Sequence, residues 1–278
     1  MTSAPASYLF AIVSTQGFRM SQTGPDFIGI GAQKSGTTYA FEALRYCPGV
    51  SFPAMPGCRD FLSNAEADGV VLNTLPKEIQ FLDGPNKNLS WDQYFDIFSD
   101  TPEGTVAGEI SPAYMTAPLE RIQELRERCP DVKLFAIFRN PIERDWSAIR
   151  MIAGRRNELD DDDALWQIAN MRHVIDMGDY LAPLQRWLSV FPRSSFVFHT
   201  LAGLETDPKA VVGSLLDHIG LDQSHLGNMP ANKVFTGPSK ECPPKILELL
   251  RERHKHSFDG FAKLTGLDIS DWTQASYQ

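Results

Sequence analysis

Lys34 lies inside the octapeptide Gly31-Ala-Gln-Lys-Ser-Gly-Thr-Thr38, which gathers two glycines, three hydroxyl side chains and one ammonium. Such a set of groups is suited to holding a phosphate-like anion. When a helix follows, its first amides have no partner within the helix, and with hydroxyl and ammonium donors they form a compact anion cradle. Against the nucleotide-triphosphatase pattern G-x-x-x-x-G-K-[ST], Gly31 and Gly36 fit. Thr37, however, stands where the lysine is needed, and the lysine comes earlier. The cradle expected from Lys34, Ser35, Gly36, Thr37 and Thr38 is for one phosphate group rather than a triphosphate chain. A second candidate is the run Phe138-Arg-Asn-Pro-Ile-Glu-Arg-Asp-Trp-Ser147. Its Arg139 offers a planar fork that can engage two anion oxygens. Taken alone, Arg139 also reads as a carbonyl cap and Ser147 as an ordinary helix residue.

The elements that must position these groups are legible as apolar runs. Asp26-Phe-Ile-Gly-Ile-Gly31 reads as a buried strand leading into the cradle, and Tyr39 to Tyr46 has helical periodicity. Lys133 to Phe138 is a second strand, ending at Arg139-Asn140-Pro141, where proline suits the first turn of a helix. Ser195 to Thr200 is a third, between helical stretches at Tyr180 to Val190 and Pro208 to Ile219. Short apolar runs alternating with helices predict an α/β fold: one P-loop-like, three-layer domain over residues 26–278, with a central parallel sheet flanked by helices. Ligands of such sheets gather beyond the carboxyl ends of the strands. Residues 1–25 read as a loosely ordered N-terminal extension, with Met20 an alternative start.

At this point the sequence resembles a known family. Gly31 to Thr38 is similar to the 5'-phosphosulfate loop of sulfotransferases that use 3'-phosphoadenosine 5'-phosphosulfate (PAPS), especially the carbohydrate and heparan sulfate type and its bacterial relatives. Phe138 to Ser147 resembles that family's 3'-phosphate motif, with Arg139 and Ser147 in the gripping positions. Gly108-Glu-Ile-Ser-Pro-Ala-Tyr114 resembles its Gly-Glu-x-Ser-Pro-x-Tyr segment, and Gly178-Asp-Tyr180 its Gly-x-Tyr helix. Phe258 to Trp272 resembles its C-terminal segment. The resemblance implies sulfuryl transfer from PAPS to a hydroxyl or amine of a saccharide or small-molecule acceptor, with no metal required. Lys34 would stabilise the leaving adenosine 3',5'-bisphosphate.

The family also uses a glutamate in a Lys-Glu-x-x-Phe-Phe segment after the first helix as its base. Counting back from Phe61-Leu62 puts Gly57 and Cys58 at the Lys-Glu positions, which leaves no base. A two-residue deletion puts Arg59-Asp60 there, so Asp60 is the candidate base and Glu109 the reserve. Each has a structural alternative: Asp60 as a helix cap or a partner of Arg59, Glu109 as an anchor of the loop around Ser111 and Tyr114.

Composition narrows the field. A formal charge of -9 argues against a nonspecific nucleic-acid binder, so any anion site must be local. Cys47, Cys58, Cys129 and Cys242 are scattered without metal-ligand spacing, which reads as reduced thiols and a cytoplasmic setting. Tyr8 to Val13 is too short for a membrane span. The acidic run Glu158 to Asp163 reads as a solvated loop and helix start, and the six histidines as surface or packing residues. Trp91, Tyr94, Phe95 and Phe98 recur at helical spacing and should bury a face. The competing readings are a P-loop-type nucleotide kinase or hydrolase, disfavoured by the misplaced lysine, and a PAPS-binding module without turnover.

Overall fold

A computed structural model describes residues 24–53, 78–227 and 240–273. Five parallel strands form its sheet: β1 (Phe27–Gly31), β2 (Val50–Ser51), β3 (Val106–Ile110), β4 (Lys133–Phe138) and β5 (Phe196–Thr200). Their order is β2-β3-β1-β4-β5, with β1 at the centre. The register sets Phe27 opposite both Gly108 and Lys133, so the carboxyl ends of β3, β1 and β4 finish at one edge. Backbone bonds continue past these ends: Ser111 N donates to Gly29 O at 2.9 Å and Ala32 N to Ile137 O at 2.8 Å.

Every residue of β1 is buried, and the alternation along β1 and β4 separates two cores. Ile28, Ile30, Leu134, Ala136 and Phe138 face the aromatic side, with Tyr94, Trp187, Phe261 and Trp272. Phe27, Phe135 and Ile137 face the opposite side, against helices α1 (Thr37–Leu44) and α9 (Pro208–His218). The aromatic side is built from α2 (Trp91–Asp96), α3 (Leu119–Arg128), α7 (Leu181–Val190), α11 (Phe258–Thr265) and α12 (Ser270–Thr273). Trp91 to Phe98 buries a face as its spacing requires, with Tyr94 stacked 4.3 Å from Phe81.

A third core joins α4 (Pro141–Arg156), α5 (Asp162–Ala169), α6 (Arg172–Gly178) and α10 (Pro244–His254) through Ile149, Leu165, Val174, Ile246 and Leu250. Helix α8 (Leu201–Thr206) follows β5 directly. The acidic run supplies a cap, since Asp161 Oδ1 accepts from Asp163 N and Ala164 N, both at 3.0 Å. Cys47, Cys129 and Cys242 are free thiols.

Strand β3 is the element that periodicity does not announce. It reads Val-Ala-Gly-Glu-Ile, and a glycine followed by a carboxylate looks unlike a buried strand. A Cβ on Gly108 would stand 2.3 Å from Phe27 O, so close strand approach requires the glycine.

Candidate active site

The turn between β1 and α1 is conformationally demanding. Gly36, the N-cap residue of α1, has φ +84°, and an added Cβ would meet Leu201 Cδ1 at 2.8 Å. Glycine is the residue that occupies this backbone region without strain. No side chain caps α1, so its first-turn amides point out of the turn as donors. Lys34 also has positive φ, at +68°, an uncommon state for a side-chain-bearing residue. Its Nζ lies 3.6 Å from Met151 Sδ on α4. Burial, reinforced by the guanidiniums of Arg155, Arg144, Arg139 and Arg150, brings the Lys34 amine down to about 8. Five cations thus converge in an acidic chain. Ser35 is fully buried beside the Tyr180 phenol, yet its Oγ has no partner in hydrogen-bonding geometry among the described residues. The positive charge beside the uncapped start of α1 suits a phosphate-like anion.

Helix α4 carries the second anion motif. Asn140 caps it, its Oδ1 accepting from Ile142 N at 3.0 Å, and Pro141 opens the first turn. Arg139 precedes the cap, with its Nε 2.9 Å from Glu143 Oε2. Glu143, Ser147 and Met151 succeed one another at four-residue intervals on one helix face. Because Met151 touches Lys34, the two anion motifs share that face.

The remaining motifs prove to be supports. Tyr180 OH donates to Arg139 O at 3.1 Å, and Asn140 Nδ2 donates to Trp272 O at 3.3 Å, so both sides of the Arg139 turn are held. Phe261 packs 4.8 Å from Phe138 and stacks 5.2 Å from Trp272, which closes the C-terminal segment over the end of β4. Gly178 sits directly on the buried Asp145, where a Cβ would come within 2.2 Å of Oδ1. Gly178→Ala is therefore expected to lower stability by about 1–3 kcal/mol, the usual range for overpacking. A thermal melt unchanged from wild type would contradict this packing.

Glu109 is fully buried, and four donors converge on it. Oε1 accepts from Tyr94 OH at 2.7 Å and Tyr114 OH at 2.8 Å, while Oε2 accepts from Ile79 N at 3.0 Å and the Ser111 hydroxyl. Burial raises its carboxyl above the usual range, and these four bonds oppose the rise. Ile79 belongs to a regular series. Ile79 N donates to Glu109, Gln80 N to Ser111 Oγ at 3.1 Å, and Phe81 N to Tyr114 OH at 2.6 Å. The Gly-Glu-x-Ser-Pro-x-Tyr segment thus offers three side-chain acceptors to three consecutive amides. Gln80 is held in the left-handed region at φ +56°. Glu109 is consequently an anchor of this segment, and its oxygens are already engaged.

No protein-family model matches the chain. Sequence comparison finds heparan sulfate glucosamine 3-O-sulfotransferase 6 of Mus musculus, 26% identical over 211 residues that cover 71% of this chain and 52% of that protein. It also finds the bifunctional heparan sulfate N-deacetylase/N-sulfotransferase 1 of Caenorhabditis briggsae, 27% identical over 217 residues, 72% of this chain and 23% of that protein. The chain spans about half the length, or less, of these curated relatives. Among solved structures, a sulfotransferase from Alicyclobacillus acidocaldarius superposes with a TM-score of 0.65 at 20% identity, covering 90% of this chain and 99% of that one. The chain is similar in sequence to sulfotransferases and shares its fold with a solved one.

The turn Lys34 to Thr38 follows β1 and Arg139 follows β4, so both lie beyond the carboxyl edge of the sheet, while Ser147 lies two turns into α4 and Glu109 is buried in β3. Asp60 lies outside the described residues. The sequence holds a second match to the base segment. Lys77-Glu78-Ile-Gln-Phe81-Leu82 fits the Lys-Glu-x-x-Phe-Phe segment with no deletion, with leucine in the last place. A Phe-Leu pair occurs twice, at residues 61–62 and 81–82, and only the second has Lys-Glu at the required spacing. Glu78 immediately precedes the three anchored amides, and its Oε2 accepts from Gln80 Nε2 at 2.8 Å. Counting back from both pairs puts Glu78 beside Asp60 as a candidate base.

Proposed function

We propose that the chain transfers the sulfuryl group of PAPS to a hydroxyl or amine of a saccharide or other small acceptor, releasing adenosine 3',5'-bisphosphate. The observation that carries this reading is the cation cluster around Lys34, set beside the uncapped N-terminus of α1. The amides of Ser35 to Thr38 and the hydroxyls of Ser35, Thr37 and Thr38 hold the 5'-phosphate. Arg139 and Ser147 hold the 3'-phosphate, for which Arg139 exchanges its surface pairing with Glu143 at little cost.

When bound there, the donor supplies an activated sulfuryl group on the oxygen that bridges to phosphorus. Glu78 accepts the acceptor's proton as the new bond to sulfur forms. A carboxylate is a weak base for a hydroxyl, so the proton moves late, once the forming bond has made it acidic. Lys34 holds its ammonium against the bridging oxygen, which takes the electron pair of the breaking bond to sulfur. The test is incubation with labelled PAPS and a panel of acceptors, with mass spectrometry of products. Formation of bisphosphate with no sulfated product from any acceptor would favour hydrolysis over transfer.

Two expectations follow for the donor site. Arg139→Ala should weaken adenosine 3',5'-bisphosphate far more than adenosine 5'-phosphate, and calorimetry showing equal losses would remove the 3'-phosphate role. The second concerns pH. Lys34 is brought to about 8 in the free protein, and an adjacent anion stabilises its charged form. Binding must then take up a proton near pH 8, and affinity should fall as pH rises through that value. Both phosphates are already doubly ionised above pH 7, so they add no opposing slope. Calorimetry in two buffers of different ionisation enthalpy measures the uptake, and Lys34→Ala should abolish it.

A further inference from the structure

Arg144 belongs to neither anion motif's gripping positions, yet it is 0% exposed and its guanidinium makes four hydrogen bonds. Its Nε donates to Gln33 O at 3.2 Å and Nη2 to Gln33 Oε1 at 2.8 Å, so one guanidinium holds both the backbone and the side chain of that residue. Nη1 donates to Val174 O and to Asp145 Oδ1, both at 3.0 Å. Asp145, also 0% exposed, uses Oδ2 to accept from Arg253 Nη1 at 3.1 Å and His254 Nε2 at 3.0 Å. The network therefore runs from α10 through Asp145 and Arg144 to the residue next to Lys34.

Buried ion pairs are poor sources of net stability, because desolvation cancels much of their attraction. The interior around this one is already supplied with apolar contacts from α4, α5, α6 and α10. Geometry is the better explanation. An arginine fork can address two acceptors of one residue at fixed angles, which a lysine ammonium cannot. Lys34, moreover, stands in a backbone conformation that its neighbours must impose.

We propose that Arg144 is a positioning residue for Lys34: it immobilises Gln33, and Asp145, held by Arg253 and His254, fixes Arg144. This rests on the assignment of Lys34 to the leaving group. Two variants test it. Arg144→Lys keeps the charge and loses the fork, and Gln33→Ala loses the side-chain half of the clasp. In both, hydrogen exchange of the amides from Lys34 to Thr38 should accelerate at least about tenfold, with β1 and β4 unchanged. The transfer rate should fall about tenfold to a hundredfold with KM little altered, as for a misplacement of about 1 Å. Because Arg144 acts through Lys34, the double variant Lys34→Ala/Arg144→Lys should be no slower than Lys34→Ala alone. Unchanged loop exchange, or losses that add fully in the double variant, would overturn the proposal. If the wild type transfers nothing, the sulfuryl-transfer reading fails while loop exchange still decides the positioning claim. Should Arg144→Lys fail to fold, Gln33→Ala gives the exchange result and, combined with Lys34→Ala, the same cycle.

Discussion

Lys34→Ala is expected to slow transfer by about a hundredfold to a thousandfold, the usual effect of removing one donor from a site of developing charge. The fold should not suffer. Lys34 is brought from 10.5 to about 8 by burial and by the guanidiniums of Arg155, Arg144, Arg139 and Arg150, so its charged form is disfavoured in the folded state. The variant should melt at or above the wild-type temperature. The unfolded chain holds this proton up to about 10.5 and the folded chain only to about 8, so between those values the unfolded state binds more protons. Wild-type stability should therefore gain from this residue as pH climbs through that window, and the variant should lack the gain. A folded variant with near-normal turnover would take Lys34 out of the mechanism.

Glu78→Gln should lower the transfer step by about a hundredfold to ten-thousandfold, the range associated with a positioned acid or base, while bisphosphate affinity stays unchanged. Asp60→Asn should be nearly silent. Glu109→Gln should behave differently from both: an amide in place of the buried carboxylate would set an NH2 against some of the four donors from Tyr94, Tyr114, Ser111 and Ile79. Its principal effect should be lost stability, by about 1–3 kcal/mol for the unsatisfied groups. Single-turnover rates and melting curves on the three variants separate these roles. A fast Glu78→Gln enzyme beside a crippled Asp60→Asn enzyme would return the base to the Arg59-Asp60 alignment.

The parts of this molecule legible in the sequence are those with a local signal. Leu134 to Phe138 is a fully apolar run stopped by Arg-Asn-Pro, and β4 occupies Lys133–Phe138. The glycine-bearing turn before α1 was readable because its donors are contiguous. Strand β3 was not, because its burial of Glu109 depends on tyrosines at residues 94 and 114 and on an amide at residue 79. Nothing local in the sequence marks Arg144 and Asp145 as interior, and only the meeting of α4 with α10 shows it. Repetition hides the choice between Asp60 and Glu78, since the same Phe-Leu dipeptide stands at 61–62 and at 81–82. Groups whose partners are distant in the chain leave no periodic trace.

Among the described residues, the ladder from Glu109, Ser111 and Tyr114 to the amides of residues 79–81 grips the chain just downstream of Glu78. Asn86 Nδ2 and Arg121 Nη2 secure the carbonyls of Ile79 and Phe81 from the same downstream direction. The backbone that follows Glu78 thus takes its position from the end of β3 and from residues later in the chain. A change at Glu109, Ser111 or Tyr114 should therefore be felt about thirty residues earlier in the chain.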